Sequence, residues 1–120
     1  MKGLHLTADL YQCRCEARWL TDGGRLQAWC TEAARSVGLQ PVAQAFQSLD
    51  RGGTSSAVLM PGAHVCLHTW PGEKAVTADV FVSQGGGDHA AQARALMLAV
   101  VERFQPEWTE QRSLDRGEEE

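Results

Sequence analysis

From Leu4 to Tyr11 apolar and polar residues alternate, with Leu4, Leu6, Ala8 and Leu10 on one side and His5, Thr7, Asp9 and Tyr11 on the other. A period of two belongs to a strand with one apolar face. His5 and Asp9 on its polar side face either a polar site or water. Gln12 to Asp22 reads as an irregular connection. The period then changes: Leu26, Trp29, Cys30, Ala33, Ala34 and Val37 recur at i, i+3, i+4 and i+7, which predicts an amphipathic helix of about four turns. Thr21 or Asp22 can cap its start, and Gly38 suits the left-handed residue past its end. Arg25, Gln27, Glu32 and Arg35 form the wet face. Cys30 lies on the apolar stripe, where a thiol behaves as a small packed side chain.

Pro41 to Leu49 predicts a second, more polar strand, with Pro41 confined to its beginning. After the loop at residues 50–53 come three β-type runs, Ser55 to Met60, His64 to Trp70 and Ala75 to Val82. The dipeptides Pro61-Gly62 and Pro71-Gly72 between them favour turns. Gln84 and the three glycines after it form a connector without phosphate-loop spacing. Asp88 can cap a second helix, His89 to Phe104, striped by Ala93, Leu96, Met97, Val100, Val101 and Phe104, which reads as core; Pro106 stops it. Pro106 to Arg112 reads as a short edge segment around Trp108. The domain is expected over residues 1–112, with residues 113–120 a charged, disordered tail.

Strand, helix, several strands, helix is the order of an α+β fold: a mainly antiparallel sheet with two helices on one face. The central runs are apolar on both sides. Val65 and Leu67 oppose Cys66, and Val76, Ala78, Val80 and Val82 oppose Ala75 and Phe81. The second face therefore needs a cover, and the chain holds no third layer. Two copies stacked sheet on sheet, a homodimer with α-β-β-α layering, would supply it.

Composition narrows the class. A chain of 120 residues, 43% hydrophobic and 22% charged, is one ordinary globular domain. A formal charge of -4 argues against a nucleic-acid surface. No apolar run approaches the ~20 residues of a membrane span, and the first residues carry no apolar signal region. A cytoplasmic location follows as the expectation, with Cys13, Cys15, Cys30 and Cys66 as reduced thiols.

Alternation along the middle run puts His64, Cys66, His68 and Trp70 on one face. His-x-Cys-x-His, with Cys13 and Cys15, offers metal ligands. Ligands two residues apart on one strand are separated by about 7 Å, which is wide for one tetrahedral ion. Cys66 with a histidine offers a nucleophilic pair, but no third residue orients it. The plain alternative is a packed Cys66 and hydrogen-bonded histidines.

His68-Thr69-Trp70-Pro71, preceded by Ser55 and followed by Ala78-Asp79-Val80-Phe81, resembles the bacterial S-adenosylmethionine decarboxylase family. The opening run from Gly3 to Cys13 is similar to that family's first strand, and the resemblance covers about residues 3–104. It implies a chain that cuts itself. A serine attacks the preceding carbonyl, the amide becomes an ester, and β-elimination leaves a pyruvoyl group that serves as electron sink for decarboxylation. The Glu-Ser cleavage pair falls on Gly62-Ala63, and Ala63 has no hydroxyl. Ser55 and His68 fall on the residues that assist processing. Ser83 falls on the cysteine that returns a proton. Gly72 replaces a ribose-binding glutamate, with Glu73 one place off. Leu49 replaces an adenine-stacking aromatic, while Trp70 is kept.

The expectation is a homologue without a pyruvoyl cofactor, with a binding or regulatory role tied to polyamine (spermidine) metabolism. Its site would use His64, His68, Ser55, Ser83 and Trp70 at the dimer seam. Its ligand would be S-adenosylmethionine, the decarboxylated form or a polyamine, and an active paralogue is a further candidate partner. The alternatives are an active decarboxylase cut at Ser55-Ser56 or Ser83, and a cysteine- or metal-based enzyme on the same scaffold.

Overall fold

The two periodicities resolve into strands and helices that share one core. In the computed structural model, which describes residues 1–49, 52–84 and 88–118, the order is β1 (Lys2–Tyr11), α1 (Arg18–Thr21), α2 (Gly23–Ser36), β2 (Ala43–Ser48), β3 (Thr54–Met60), β4 (Ala63–Trp70), β5 (Ala75–Ser83), α3 (His89–Phe104) and β6 (Trp108–Gly117). The strands form one six-stranded sheet, β2-β3-β4-β5-β1-β6. Every neighbouring pair is antiparallel. This is the α+β architecture expected from the chain's pattern.

The apolar side of each central strand faces the helices. Leu4, Leu6, Ala8 and Leu10 of β1, Val65 and Leu67 of β4, and Val76, Ala78, Val80 and Val82 of β5 are buried. They share a core with Leu26, Cys30 and Ala34 of α2 and with Leu96, Met97, Val100 and Phe104 of α3. Register aligns Leu6 with Val80, Val80 with Val65 and Val65 with Val58, a buried row across four strands. Asp22 caps α2 by accepting from the Arg25 N–H, and Asp88 caps α3 by accepting from the N–H groups of Ala90 and Ala91. Gly38 takes φ +87° just past α2, as a left-handed stop requires.

Two expectations change. The stretch from Gln12 to Asp22 contains the short helix α1, whose Trp19 and Leu20 are buried. Trp19 lies between the guanidinium groups of Arg25 and Arg103, at 4.3 and 4.1 Å from the ring centre. Residues 113–117, expected in a disordered tail, form the second half of β6. That strand pairs with β1 from Tyr11↔Trp108 to Lys2↔Gly117. The charged sequence misled because β6 is an edge strand exposed along nearly its whole length. Its pairing comes from the backbone, and charge on an edge discourages pairing with other chains. The glycines 85–87 and residues 50 and 51 of the loop before β3 lie outside the described residues.

Thr69 joins three elements. Its hydroxyl donates to the Leu20 carbonyl at 2.6 Å and accepts from the Thr54 N–H at 2.9 Å. Thr69 is 1% exposed. The isosteric Thr69→Val strands a buried donor and a buried acceptor, which costs about 2–3 kcal/mol. Urea unfolding should show a lower midpoint with an unchanged slope, and Thr69→Ser should recover most of the loss.

Candidate functional site

Among the described residues, no helix covers the polar side of the sheet. On it stand His5, Thr7 and Asp9 of β1, Thr77, Asp79 and Phe81 of β5, His64, Cys66, His68 and Trp70 of β4, and Ser55, Ala57 and Leu59 of β3. All are half-buried or exposed. The shared face of His64, Cys66, His68 and Trp70 is as alternation implied. The residues expected in one pocket are nevertheless spread over several places on it.

Ser55 and His68 are cross-strand partners, and the Ser55 hydroxyl lies 2.8 Å from His68 Nδ1. They border a cavity of about 400 Å³ that also touches Ala57 and Cys66. Ala63 sits elsewhere, at the first position of β4 and paired with Met60. Only Pro61 and Gly62 separate β3 from β4. Proline fixes φ at the first turn position and Gly62 takes φ +65° at the second, the demand of a type II turn. The Ser83 N–H donates to the Gly62 carbonyl at 3.0 Å. A side chain on Gly62 would overlap the Ser83 hydroxyl. Ser83 therefore belongs to the turn that carries Ala63, a methyl that is 8% exposed. His68 is five positions further along β4, or about 16 Å of strand.

Leu49, Trp70 and Glu73 do converge. With Gly53, Thr69, Pro71 and Gly72 they line a cavity of about 490 Å³ at the far end of β4. Trp70 and Leu49 are 43% and 42% exposed. Pro71–Glu73 forms a single 3-10 turn and Lys74 takes a left-handed φ of 51°, which carries the chain from β4 into β5 and leaves Glu73 at the rim. Glu73 and Trp70 also border a second cavity of about 330 Å³ with Asp9, Tyr11 and Thr77.

His64 lines none of these three cavities. Its Nε2 lies 3.0 Å from Asp79 Oδ1, and His5 Nε2 lies 2.7 Å from the same oxygen. Among the described residues, the metal-ligating atoms that come together belong to His5, His64 and Asp79, all within 4.8 Å of one another. Cys13, Cys15, Cys66 and His68 are not in that group. From the sequence alone, His5 faces either water or a polar site and Asp79 has no assigned role. The polar alternation of β1 and the Ala78-Asp79-Val80-Phe81 run were the available signals, but only register joins them.

The four cysteines are free thiols. Burial pushes Cys30 up to about 12 and Cys13 up to about 11, with Cys66 and Cys15 respectively raising them further. Burial also raises Cys66, and the Asp79 carboxylate adds to it. A raised thiol holds less thiolate near neutral pH, so nothing in this site activates Cys66 as a nucleophile.

The family described as S-adenosylmethionine decarboxylase matches residues 4–117. Over 116 residues the chain is 28% identical to the S-adenosylmethionine decarboxylase proenzyme of a Hydrogenobaculum species, covering 96% of this chain and 81% of that protein. It is 31% identical over 101 residues to the arginine decarboxylase proenzyme of Pyrobaculum arsenaticum, covering 82% of this chain and 72% of that protein. The crystal structure of the adenosylmethionine decarboxylase from Aquifex aeolicus superposes with a TM-score of 0.80 at 26% identity, covering 98% of this chain and 92% of that one.

The thiol environments predict an order of reaction. At pH 7.5 iodoacetamide should alkylate Cys66 more slowly than free cysteine. Its rate should keep rising above pH 9, because the raised pKa delays thiolate formation. Peptide mapping after timed labelling reads this out. A Cys66 that reacts faster than the free amino acid would mark an activated nucleophile.

Proposed function

This chain belongs to the S-adenosylmethionine decarboxylase family, and we propose that within it the chain stays uncut, works as a cytoplasmic homodimer and binds an amine-bearing ligand without decarboxylating it. The observation that carries this reading is Ala63 at the β3–β4 turn. Self-scission needs an oxygen that attacks the preceding carbonyl and then leaves by β-elimination. A methyl group does neither, so no pyruvoyl group forms at this position. The donor set around the turn agrees. Ser83, which lies against Gly62, offers an alcohol whose pKa is far above the ~8.5 of a thiol and is a poor acid near neutral pH. The two relatives named above are described as proenzymes, and this chain lacks the hydroxyl that such a precursor would use.

The homodimer rests on two arguments. The open face carries Leu59, 50% exposed, beside the half-buried Ala57, Cys66 and Phe81, and a sheet with apolar groups on both faces is stabilised by a second sheet about 10 Å away. The Ser55–His68 pair also lies about 16 Å along β4 from the Ala63 turn. One chain cannot bring them to the same small ligand. Two open faces stacked about a two-fold axis would lay the turn end of one copy over the Ser55–His68 end of the other.

The ligand is a small cation. Trp70 supplies a π-face and Glu73 a carboxylate on one cavity, a pairing that favours an ammonium, sulfonium or guanidinium group. The relatives' names supply two such molecules, S-adenosylmethionine and arginine, and the polyamine (spermidine) link follows from the first. The net charge of -4 favours a cationic partner through its field. Leu49 in place of an aromatic and Gly72 in place of a glutamate weaken the adenosyl contacts. S-adenosylmethionine, its decarboxylated form and spermidine are therefore all candidates, and an active paralogue could replace the second copy in the dimer.

Intact-mass measurement tests the core of the reading. A single chain of 13.1 kDa, with no hydroxylamine-reactive carbonyl, is expected. Two fragments, one capped by a keto acid, would overturn it, whichever serine had cut. Sedimentation should show a dimer that Leu59→Glu converts to a monomer. Calorimetric titration with S-adenosylmethionine, decarboxylated S-adenosylmethionine and spermidine should find at least one ligand whose affinity falls about tenfold in Trp70→Ala, equivalent to ~1.4 kcal/mol.

A further inference from the structure

We propose that His5, His64 and Asp79 form a binding site for a divalent transition metal of the zinc type. His64 follows Ala63 directly along β4, yet Ala63 is buried on the core side while His64 stands on the open face, and the site does not rest on the reading above.

Its geometry is written into the sheet. His5 of β1 and His64 of β4 both pair with Phe81 of β5. The three therefore form one transverse row, with the histidines flanking the phenylalanine. Asp79 is two positions back along β5, on the same face and diagonal to both histidines. Each Nε2 meets the same carboxylate oxygen, at 2.7 and 3.0 Å. A zinc ion about 2.0–2.1 Å from three tetrahedral ligands holds them roughly 3.3 Å apart. The two histidine–carboxylate contacts are shorter than this by a few tenths of an ångström and all three donor atoms lie within 4.8 Å of one another, so small side-chain rotations bring them to that spacing. The Phe81 ring meets His5 edge-on, with centroids 6.1 Å apart, and lies 6.0 Å from the His64 ring, so both imidazoles are restrained. Side-chain exposures of 21% for His5, 34% for His64 and 41% for Asp79 leave one side open. Two imidazoles and a carboxylate with an open position form the donor set of many catalytic zinc sites. Spacing of about 7 Å along one strand keeps His64, Cys66 and His68 from sharing one ion; here the ligands come from three adjacent strands.

A neighbouring guanidinium competes with the ion. Arg116 Nη1 lies 3.3 Å from His5 Nδ1. A guanidinium only donates, so Nδ1 accepts, and His5 carries its proton on Nε2, where it donates to Asp79. Metal entry needs the Nε2 lone pair. The proton must move to Nδ1, and Arg116 must leave because two donors cannot face each other. For neutral imidazoles this is a change of tautomer with no net proton released. Arg116 also adds a like charge beside the ion. It therefore acts as a gatekeeper against the metal, on the exposed edge strand.

That competition gives a test with a sign. Zinc(II) titration of the full chain by calorimetry should saturate at one ion per chain. Cobalt(II) should give visible ligand-field bands without the intense near-ultraviolet band of a thiolate ligand. Asp79→Asn and His64→Gln should each weaken binding at least tenfold, while Arg116→Gln should tighten it several-fold. Absence of saturable binding, a thiolate band, or affinity indifferent to Asp79→Asn and His64→Gln would each overturn the proposal. If either ligand variant fails to fold by circular dichroism, Arg116→Gln decides. Unchanged or weaker zinc binding in that variant also overturns it.

Discussion

The register of four strands is held by one row of buried side chains, Leu6, Val80, Val65 and Val58, three of them fully buried and Leu6 8% exposed. Burying a Val or Leu side chain stabilises the chain by about 1.5–3 kcal/mol. A slip of one residue in any of these strands would turn its whole apolar set to the open face and lose several such contributions together. The helices reinforce the choice, because Leu26 and Leu96, both 0% exposed, close over the same side. The positions of all the polar groups on the open face follow from that constraint. His5 meets Asp79, and Ser55 meets His68, because a core on the other side of the sheet leaves no alternative register.

The same constraint keeps apart groups that the linear sequence seems to bring together. Ser55, His64, His68 and Ser83 share a face, yet the strand rise separates the Ala63 turn from the Ser55–His68 pair by about 16 Å. Rotation of side chains does not close that gap. A single chain therefore holds these polar groups in two separate places on the same face.

What could be read from the sequence depended on whether an element buries one side. Strands β1, β3, β4 and β5 and helices α2 and α3 are amphipathic, and their limits stood in the pattern within a residue or two. Strand β6 buries nearly nothing; its first half is legible as an edge segment around Trp108, but no hydrophobic period carries it past Arg112, where the charges suggest a tail. Helix α1 is four residues long, too short for a helical period to show. Within the site, alternation placed His64, Cys66, His68 and Trp70 on one face. It carried no information about partners on other strands. His5 and Asp79 lie 74 positions apart, and their meeting depends on β1 entering between β5 and β6. The gathering of Leu49, Trp70 and Glu73 came from resemblance rather than periodicity, since all three sit in turns or at strand ends.

The His-Thr-Trp-Pro run shows how fold and function divide within four residues. Thr69 is buried and satisfies a carbonyl and an N–H from two other elements, so the fold accounts for it. Pro71 opens the 3-10 turn that leads into β5, so the chain path accounts for it. His68 is exposed and, among the described residues, bonds only Ser55, itself near the surface. A hydrogen bond of that kind contributes about 1 kcal/mol at most, because water competes for both partners. Trp70 likewise leaves much of a large apolar ring in solvent, where burial against a ligand or a second sheet would stabilise it. Stability of the single chain therefore explains Thr69 and Pro71 and leaves His68 and Trp70 unexplained. Those two side chains, with Ser55, are the part of the open face whose residue types the single fold does not explain.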